Sequence, residues 1–284
     1  MHSEDERKYR EWRASAHRYA REWWKHNPMV HQALGVDPSL HQKLEDQSAR
    51  GTVETADVYL VDDEWRFMRR QVHAQVCLSI DEINARNIER QVYIFFGMPG
   101  AGKTTCLWRM VRAHRARLGI ENYFAAEISA DNVREKLPEY ENGLGSGVVQ
   151  TEASHITYGV DYRAALDSGA DMVIDSIGRA RYVEQWVSDL SQIGCEVHVL
   201  GALCAVQTAT ERMRARALST GRFLPSEIIS DARDDVELTA QRIQAEDWPV
   251  ASWSLVDTSA NNVPPLVKWG TEPWGMVGER VALW

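Results

Sequence analysis

The segment from Gly97 to Thr104 carries glycines, a lysine and a threonine at a spacing that binds nucleotide phosphates. It reads Gly-Met-Pro-Gly-Ala-Gly-Lys-Thr and fits the pattern G-x-x-x-x-G-K-[ST] at every fixed position. Backbone N–H groups of such a loop point at the phosphates, and the dipole of the following helix adds positive charge. Lys103 would bridge the β- and γ-phosphate oxygens, and the Thr104 hydroxyl would ligate Mg²⁺. The motif therefore predicts binding of ATP or GTP with Mg²⁺.

The sequence on either side of this loop predicts the elements that the motif requires. Residues 91–96 form an apolar run typical of a buried strand, and a helix is predicted over residues 103–118. The alternative is a chance glycine-rich turn, which the order of strand, loop and helix disfavours. Eight residues are predicted to contact the nucleotide: Gly97, Pro99, Gly100, Ala101, Gly102, Lys103, Thr104 and Thr105.

Two aspartates follow predicted strands, where ligands of parallel sheets bind. Asp131 comes after the predicted strand 123–128 and could accept the proton of a substrate hydroxyl whose oxygen attacks the γ-phosphate. Its alternative role is to cap the next helix. Asp175 follows the apolar strand 172–174 and could hold Mg²⁺ or its water shell, or simply end the strand. We predict Asp131 as the catalytic base and Asp175 as a metal ligand.

A cluster of arginines follows the fourth predicted strand. Arg212, Arg214 and Arg216 lie on a predicted helix, and Arg222 comes after Gly221, which suits a helix end and a mobile lid. Phosphoryl transfer spreads negative charge over the γ-phosphate, and arginines can stabilise that charge. The alternative is a solvated charged helix.

Composition and charge narrow the classes of partner. The chain has 284 residues, of which 44% are hydrophobic, and a net charge of −9, which disfavours nucleic acid as the main partner. The four cysteines have no paired spacing, and the chain begins without an apolar signal segment or membrane span. We expect a cytoplasmic protein that does not bind membranes. Cys106, just inside the loop helix, is either a thiol of lowered pKa or a small core residue.

The order of predicted elements changes near residue 90. Before it, residues 2–24 and 57–90 have apolar residues at helical spacing; after it, strands and helices alternate as in a parallel sheet. About five strands are predicted, at residues 91–96, 123–128, 172–174, 196–203 and 252–256.

An ordered set of short motifs resembles the zeta-toxin family of small kinases. Residues 128–140 look like the family's D-x-[FV]-R-x-x-x-P-x-Y segment, with Asp131, Arg134, Pro138 and Tyr140 at its fixed positions. Further similarity lies at residues 151–154, 164–166 and 169–176, in the pair Arg212 and Arg216, and at residues 220–225. The resemblance covers about residues 90–260.

The resemblance implies a fold and a domain organisation. We expect an α/β protein, a P-loop kinase three-layer sandwich with about five mainly parallel strands, preceded by an α-helical N-terminal extension. Residues 1–90 would form this helical extension or cap, residues 91–260 the P-loop kinase core, and residues 261–284 a tail packed on the core.

The resemblance also implies an activity and roles for single residues. Family members are phosphoryl transferases, and the best-known ones phosphorylate the 3′-hydroxyl of the sugar in UDP-N-acetylglucosamine. By this likeness Lys103 and Thr104 hold the nucleotide and Mg²⁺, and Asp131 is the base. Arg134 helps to fix the substrate, and Arg216 and Arg222 sense the phosphate.

This chain departs from the family pattern in the substrate pocket. Ile177 replaces a threonine, and Gly159 aligns with a substrate-binding glutamate, so a changed acceptor is expected. The candidate acceptor contacts are Arg134, Glu152, Asp161 and Arg179. The expected acceptor is a nucleotide-sugar or related small metabolite; a polynucleotide 5′-end kinase and a nucleotide-dependent regulator are the alternatives. A toxin role would imply an antitoxin partner or an N-terminal segment that inhibits in cis.

Overall fold

The computed structural model of the protein describes most of the chain after residue 53. The described residues are 54–78, 90–120, 125–143, 146–220, 222, 224, 226–260, 265–274 and 277–281. The helix predicted over residues 2–24 lies outside them, as does most of the segment proposed to inhibit in cis.

The elements of the described residues are as follows. The strands are β1 (Leu60–Val61), β2 (Glu64–Trp65), β3 (Gln91–Gly97), β4 (Ala126–Ile128), β5 (Met172–Asp175), β6 (Glu196–Leu203), β7 (Ser252–Asp257) and β8 (Leu266–Gly270). The α-helices are α1 (Thr55–Tyr59), α2 (Phe67–Val76), α3 (Lys103–Arg117), α4 (Ala130–Lys136), α5 (Gln150–His155), α6 (Tyr162–Ser168), α7 (Ala180–Gln192), α8 (Val206–Thr220) and α9 (Ser226–Ala245). A 3₁₀-helix covers Pro138–Gly143, and a π-helical segment covers Ile156–Asp161 between α5 and α6.

The chain divides into two compact units, each assembled from several segments. The unit that we call the helical unit contains the described residues up to Cys77, Ala130–Val160 and Arg212–Ile228. The unit that we call the sheet unit contains the described residues of Leu78–Ser129, Asp161–Glu211 and Ile229–Trp284. The domain limits at residues 90 and 260 stay a prediction.

The sheet unit is built on a six-stranded sheet in the order β4-β5-β3-β6-β7-β8. Strands β3 to β7 pair in parallel, and β8 pairs antiparallel with β7. The mixed α/β fold with a mostly parallel central sheet is therefore confirmed. The strand Leu266–Gly270 was not predicted, because it follows the pair Pro264-Pro265 and belongs to a segment assigned to the tail.

The central strands are buried along their length. All seven residues of β3 are buried, as are seven of the eight residues of β6. Strands of a parallel sheet are covered on both faces, so they appear in the sequence as continuous apolar runs rather than as alternating ones. This pattern is why the predicted bounds of β6 agree with the structure.

A β-hairpin lies in the helical unit where a single helix was predicted. The helix expected over residues 57–90 is interrupted after α1 by the strands β1 and β2, whose turn contains Asp62 and Asp63 with φ of 50° and 62°. Aspartate tolerates positive φ better than most residues, and two such residues fit a tight hairpin turn. Helical spacing alone did not reveal this turn.

The core of the helical unit joins α2 to α4 and α5. Its buried residues are Val76, Val133, Leu137, Tyr140, Val149, Ala153 and Ile156. The apolar face of α2 thus packs with segments that lie far along the chain. The helices in the described part of the chain are either too short or too polar to span a lipid bilayer.

Candidate active site

The phosphate loop of the sheet unit connects β3 directly to α3. Gly100 and Gly102 have φ of 78° and 72°, a left-handed conformation that glycine adopts without steric cost. A Cβ at Gly97 would lie 2.6 Å from the Ala202 carbonyl oxygen, and one at Gly100 would lie 2.7 Å from the Ala209 carbonyl oxygen. The loop therefore approaches the neighbouring backbone more closely than a side chain would allow.

Two carbonyl groups of the loop are bound by the surrounding protein. The Thr258 hydroxyl donates to the Ala101 carbonyl at 2.8 Å, and the Cys204 thiol lies 3.8 Å from the Gly100 carbonyl. These contacts turn the carbonyl oxygens toward the protein, as a loop that presents N–H groups to phosphate requires. This contact of Thr258 was not predicted from the sequence.

The lysine of the loop is held by oxygen atoms at the ends of two strands. The Lys103 ammonium donates to the Gly97 carbonyl at 2.9 Å and to the Ser176 carbonyl at 3.0 Å, and lies 3.5 Å from Asp175 Oδ1. The side chain is 16% exposed. Lys103 and Asp175, predicted separately from sequence, are thus brought together.

The residues available for Mg²⁺ fit a hard cation. Thr104 and Thr105 are exposed in the first turn of α3, and Asp175 closes β5 with a partly exposed carboxylate. Hydroxyl and carboxylate oxygens are the donors that Mg²⁺ prefers, together with substrate phosphates. The metal roles of Thr104 and Asp175 and the nucleotide contacts of the eight loop residues stay predictions.

The predicted base is held by two arginines of the helical unit. Asp131 lies in the first turn of α4, and its carboxylate accepts hydrogen bonds from Arg134 and from both terminal nitrogens of Arg222, one of them at 3.2 Å. The Asp131 side chain is 32% exposed, whereas the two arginine side chains are 9% and 11% exposed. The carboxylate is therefore fixed in direction and still reachable from solvent.

The arginine cluster is divided by the structure. Arg222 is buried against Asp131, Arg216 is exposed on α8, and Arg212 is half-buried on the same helix. The family resemblance implies that Arg134 contacts the acceptor and Arg222 the phosphate, but it does not predict that both contact Asp131. Their roles in catalysis stay predictions.

The carboxylate of Glu152 is fully buried in the helical unit. It accepts hydrogen bonds from Arg69 Nε at 2.5 Å and Arg69 Nη2 at 2.7 Å, and its Oε1 lies 2.7 Å from His73 Nε2. Arg69 also donates to Glu139 at 2.8 and 2.7 Å. Burial acts to raise the pKa of Glu152, but hydrogen bonds from His73, Arg69 and Thr55 and the charge of Arg69 lower it to about 2. Substrate binding by Glu152 stays a prediction.

We expect Glu152→Gln to destabilise the protein in a pH-dependent way. Because the folded-state pKa lies near 2 and the ordinary value is 4.5, the stabilisation by Glu152 is complete above pH 4.5 and is lost as pH falls toward 2. Breaking a buried ion pair costs about 3 kcal/mol of unfolding free energy at neutral pH. Urea unfolding of wild type and variant between pH 7 and pH 3 should show a difference in unfolding free energy that narrows below pH 4.5. A difference in unfolding free energy that stays constant over this pH range would contradict the stabilising role of the charged Glu152 carboxylate.

The other two predicted acceptor contacts lie in the sheet unit. Asp161 is 3% exposed and accepts a hydrogen bond from the Leu78 N–H at 3.0 Å. Arg179 precedes α7 and is 36% exposed, with Nε 3.6 Å from Asp235 Oδ2. Both stay predicted acceptor contacts.

The segment before Arg179 is joined to the phosphate loop. The Ile177 carbonyl accepts a hydrogen bond from the Gly97 N–H at 3.2 Å, and the Ile177 side chain is 39% exposed. An apolar side chain is thus exposed next to the start of the loop, at the position where the family pattern has a threonine.

Cys106 is a core residue of the loop helix. Burial raises the pKa of its thiol to about 12, against the opposing charge of Arg109. The interpretation of Cys106 as a small core-facing residue, rather than a reactive thiol, agrees with this environment.

Sequence reasoning missed Arg69, His73 and Gln150. Arg69 and His73 lie four residues apart on α2, so they share one helical face, and this spacing was the available signal. Gln150 accepts a hydrogen bond from Arg134, a contact that no local pattern indicates.

A mostly parallel sheet between helices, with a glycine-rich loop of this sequence after β3, is the arrangement that defines the class of P-loop proteins. Within that class, the family model described as zeta toxin matches residues 76–259, which is more than half of the chain, and the chain belongs to the zeta-toxin family. The resemblance predicted from the sequence is confirmed. A comparison with curated proteins gives no match.

Several solved structures are similar to the chain at low sequence identity. The AvrRxo1-ORF1:AvrRxo1-ORF2 complex contains a chain with 15% identity and a TM-score of 0.58, covering 82% of this chain and 80% of that chain. The same complex with ATP gives 15% identity and a TM-score of 0.55, with coverages of 81% and 78%. A structure from the PezAT toxin-antitoxin system of Streptococcus pneumoniae has 14% identity and a TM-score of 0.48, with coverages of 69% and 79%. The two AvrRxo1 structures show the shared fold.

Proposed function

We propose that this protein is a kinase that transfers the γ-phosphate of ATP or GTP to a hydroxyl of a small metabolite. The first acceptors to test are nucleotide-sugars such as UDP-N-acetylglucosamine and related nucleotides. The observation that carries the proposal is the Asp131 carboxylate, which is fixed by Arg134 and Arg222 and remains 32% exposed. A phosphate loop alone supports nucleotide binding, whereas an oriented and accessible carboxylate supports proton removal from an acceptor.

The sheet unit binds the donor in this proposal. Lys103 exchanges its bonds to the Gly97 and Ser176 carbonyls for β- and γ-phosphate oxygens, which carry more negative charge. Thr104 and Asp175 would hold Mg²⁺, and the ion would supply positive charge that offsets the charge of the phosphates. ATP is the donor to test first, because a structure of similar fold contains it.

The helical unit supplies the acceptor chemistry in this proposal. Asp131 accepts the proton of the attacking hydroxyl, so that the new P–O bond forms as the bond to the leaving diphosphate breaks. Arg134 orients the carboxylate and contacts the acceptor, and Arg216 and Arg222 stabilise the charge that spreads over the transferred phosphoryl group.

The chain differs from the family pattern at Ile177. An exposed isoleucine beside the loop offers apolar contact where a threonine offers a hydrogen bond. A site that lacks a hydroxyl partner discriminates differently among substrates. Acceptors beyond UDP-N-acetylglucosamine therefore belong in the test, with Arg179 and Asp161 as further proposed contacts.

The direct test is incubation with γ-labelled ATP or GTP, Mg²⁺ and a panel of nucleotide-sugars, nucleotides, oligonucleotides with 5′-hydroxyl ends and a metabolite extract. We expect label on a small molecule in a phosphate ester that a phosphatase removes. Label on oligonucleotide 5′ ends would instead identify a polynucleotide kinase. Binding of nucleotide without turnover on any acceptor would identify a regulator and overturn the kinase proposal.

We also propose that the protein acts as a toxin restrained by a partner protein. The family to which the chain belongs supports this role, and a structure of similar fold is a two-protein complex. An acceptor that growing cells need would explain toxicity, because its phosphorylation would withdraw it from metabolism.

A further inference from the structure

We propose that Gln150 is a positioning residue for the acceptor chemistry and that helix α2 anchors the helix that carries it. This inference rests on the proposed role of Asp131 as base. The side chains involved all belong to the helical unit, and they form a chain of contacts from α2 through α5 to the base. We call this chain the α5 network; its members are Arg69, His73, Glu152, Gln150, Arg134 and Asp131.

The amide of Gln150 is oriented by contacts on both of its ends. Its oxygen accepts a hydrogen bond from Arg134, and its nitrogen donates to the Ser154 hydroxyl at 3.0 Å. The same hydroxyl donates to the backbone carbonyl of Gln150 at 2.9 Å, one turn back along α5. The oxygen of the amide is therefore directed at the arginine.

Arg134 transmits this orientation to the base. Its guanidinium bonds Gln150 with one terminal nitrogen and Asp131 with the other, and its side chain is 9% exposed. A planar guanidinium held at both terminal nitrogens has little freedom to rotate. The position of the Gln150 side-chain oxygen therefore sets the plane of the Arg134 guanidinium, which in turn sets the direction of the Asp131 carboxylate.

The anchor of α5 lies two residues further along the helix. Gln150 and Glu152 are separated by about 200° around the helix axis, because successive residues turn by about 100°. One side of α5 thus contacts Arg134, while nearly the opposite side is bound by Arg69 and His73 of α2. Helix α5 is thus held between α2 and α4, the helix that carries Asp131 and Arg134.

Further contacts from the start of the described chain fix the same helix. The Glu54 carboxylate accepts a hydrogen bond from the Thr151 N–H at 3.2 Å, and the Thr55 N–H donates to the Val148 carbonyl at 3.0 Å. Residues 54–75 lie outside the range matched by the zeta-toxin family model. This chain therefore anchors α5 with a segment that the family match does not include.

The test compares Gln150→Leu with Gln150→Glu and a matched control. Leucine removes the acceptor at similar size and should lower kcat about 10- to 100-fold, the scale of small misplacements in an active site, with the Kd for ATP unchanged. Glutamate restores an oxygen acceptor for Arg134 and should recover most of the loss. The control is Gln192→Leu, because Gln192 also bonds a serine one turn away, Ser188, but is exposed on α7.

A second readout separates this inference from the proposed function. The ¹⁵N-labelled Nε–H signal of Arg134, assigned with Arg134→Lys, should shift or broaden in Gln150→Leu and remain unchanged in Gln192→Leu. If that signal moves while wild type transfers no phosphate to any acceptor, the positioning contact stands and the kinase proposal fails.

The converse outcome would overturn the positioning role. In that outcome the wild type is active, and folded Gln150→Leu keeps kcat within about twofold of the wild-type value and leaves the Arg134 signal unchanged. The anchor is tested in the same way with Arg69→Gln, which should lower kcat and move the Arg134 signal while the Kd for ATP stays the same. An unmoved Arg134 signal in folded Arg69→Gln would remove α2 from the network.

Discussion

Lys103→Ala is expected to lower kcat for phosphoryl transfer by at least about 10²- to 10³-fold, the cost of removing one preorganised charge donor from a transition state. The ammonium is the positive side chain that follows the glycines of the loop, and it lies 3.5 Å from Asp175 Oδ1. Affinity for ATP should fall as well, because the β- and γ-phosphates lose their bridging partner. Initial rates with labelled ATP and titration of nucleotide binding measure the two effects separately.

The matched control for this variant is Lys268→Ala. Lys268 is 47% exposed on β8, with Nζ 3.7 Å from Asp257 Oδ2, and should be removable with kcat unchanged. Cells expressing wild type should grow more slowly than cells expressing Lys103→Ala if the proposed toxicity depends on catalysis. Retention of more than about a tenth of wild-type kcat by a folded Lys103→Ala protein would contradict the assigned role, since the predicted loss is at least 10²-fold.

The phosphate loop and the central strands could be predicted because their signals are local. The glycines at 97, 100 and 102 and the lysine at 103 lie within one short segment, and the buried strands β3 and β6 appear as continuous apolar runs. In such segments, backbone sterics and burial act on residues that are neighbours in sequence. The predicted loop and strands therefore match the structure within a few residues.

The contacts of Asp131 and Glu152 could not be predicted because their partners are far apart in sequence. Arg69 and Glu152 are separated by 83 residues, and Arg222 and Asp131 by 91 residues. Neither periodicity nor spacing carries information about which charged groups meet after folding. The sequence thus identified Asp131, Arg134, Arg222 and Glu152 as candidates but gave no reason to expect Asp131 between two arginines, or Glu152 fully buried.

Asp131→Asn is expected to lower kcat by about 10²- to 10⁴-fold, the usual contribution of a general base. Asparagine keeps the size of the side chain and one oxygen acceptor, but its amide cannot take the proton of the attacking hydroxyl. The Kd for ATP should stay within about twofold, because the lysine and the glycines that we propose to bind phosphate remain intact. Single-turnover measurements with labelled ATP isolate the transfer step from product release.

The control and the stability of this variant determine how a loss of rate is interpreted. Asp189→Asn is matched, since Asp189 is exposed on α7 and accepts only a surface hydrogen bond from Gln185 at 2.8 Å among the contacts described. Asp131→Asn should also cost about 1 to 2 kcal/mol of unfolding free energy, because Arg134 and Arg222 lose a charged partner that is partly exposed. A loss of stability with transfer kept within about tenfold would mean that the two arginines hold Asp131 for structure alone. A loss of transfer in a folded variant that still binds ATP would leave Asp131 as the group that removes the proton.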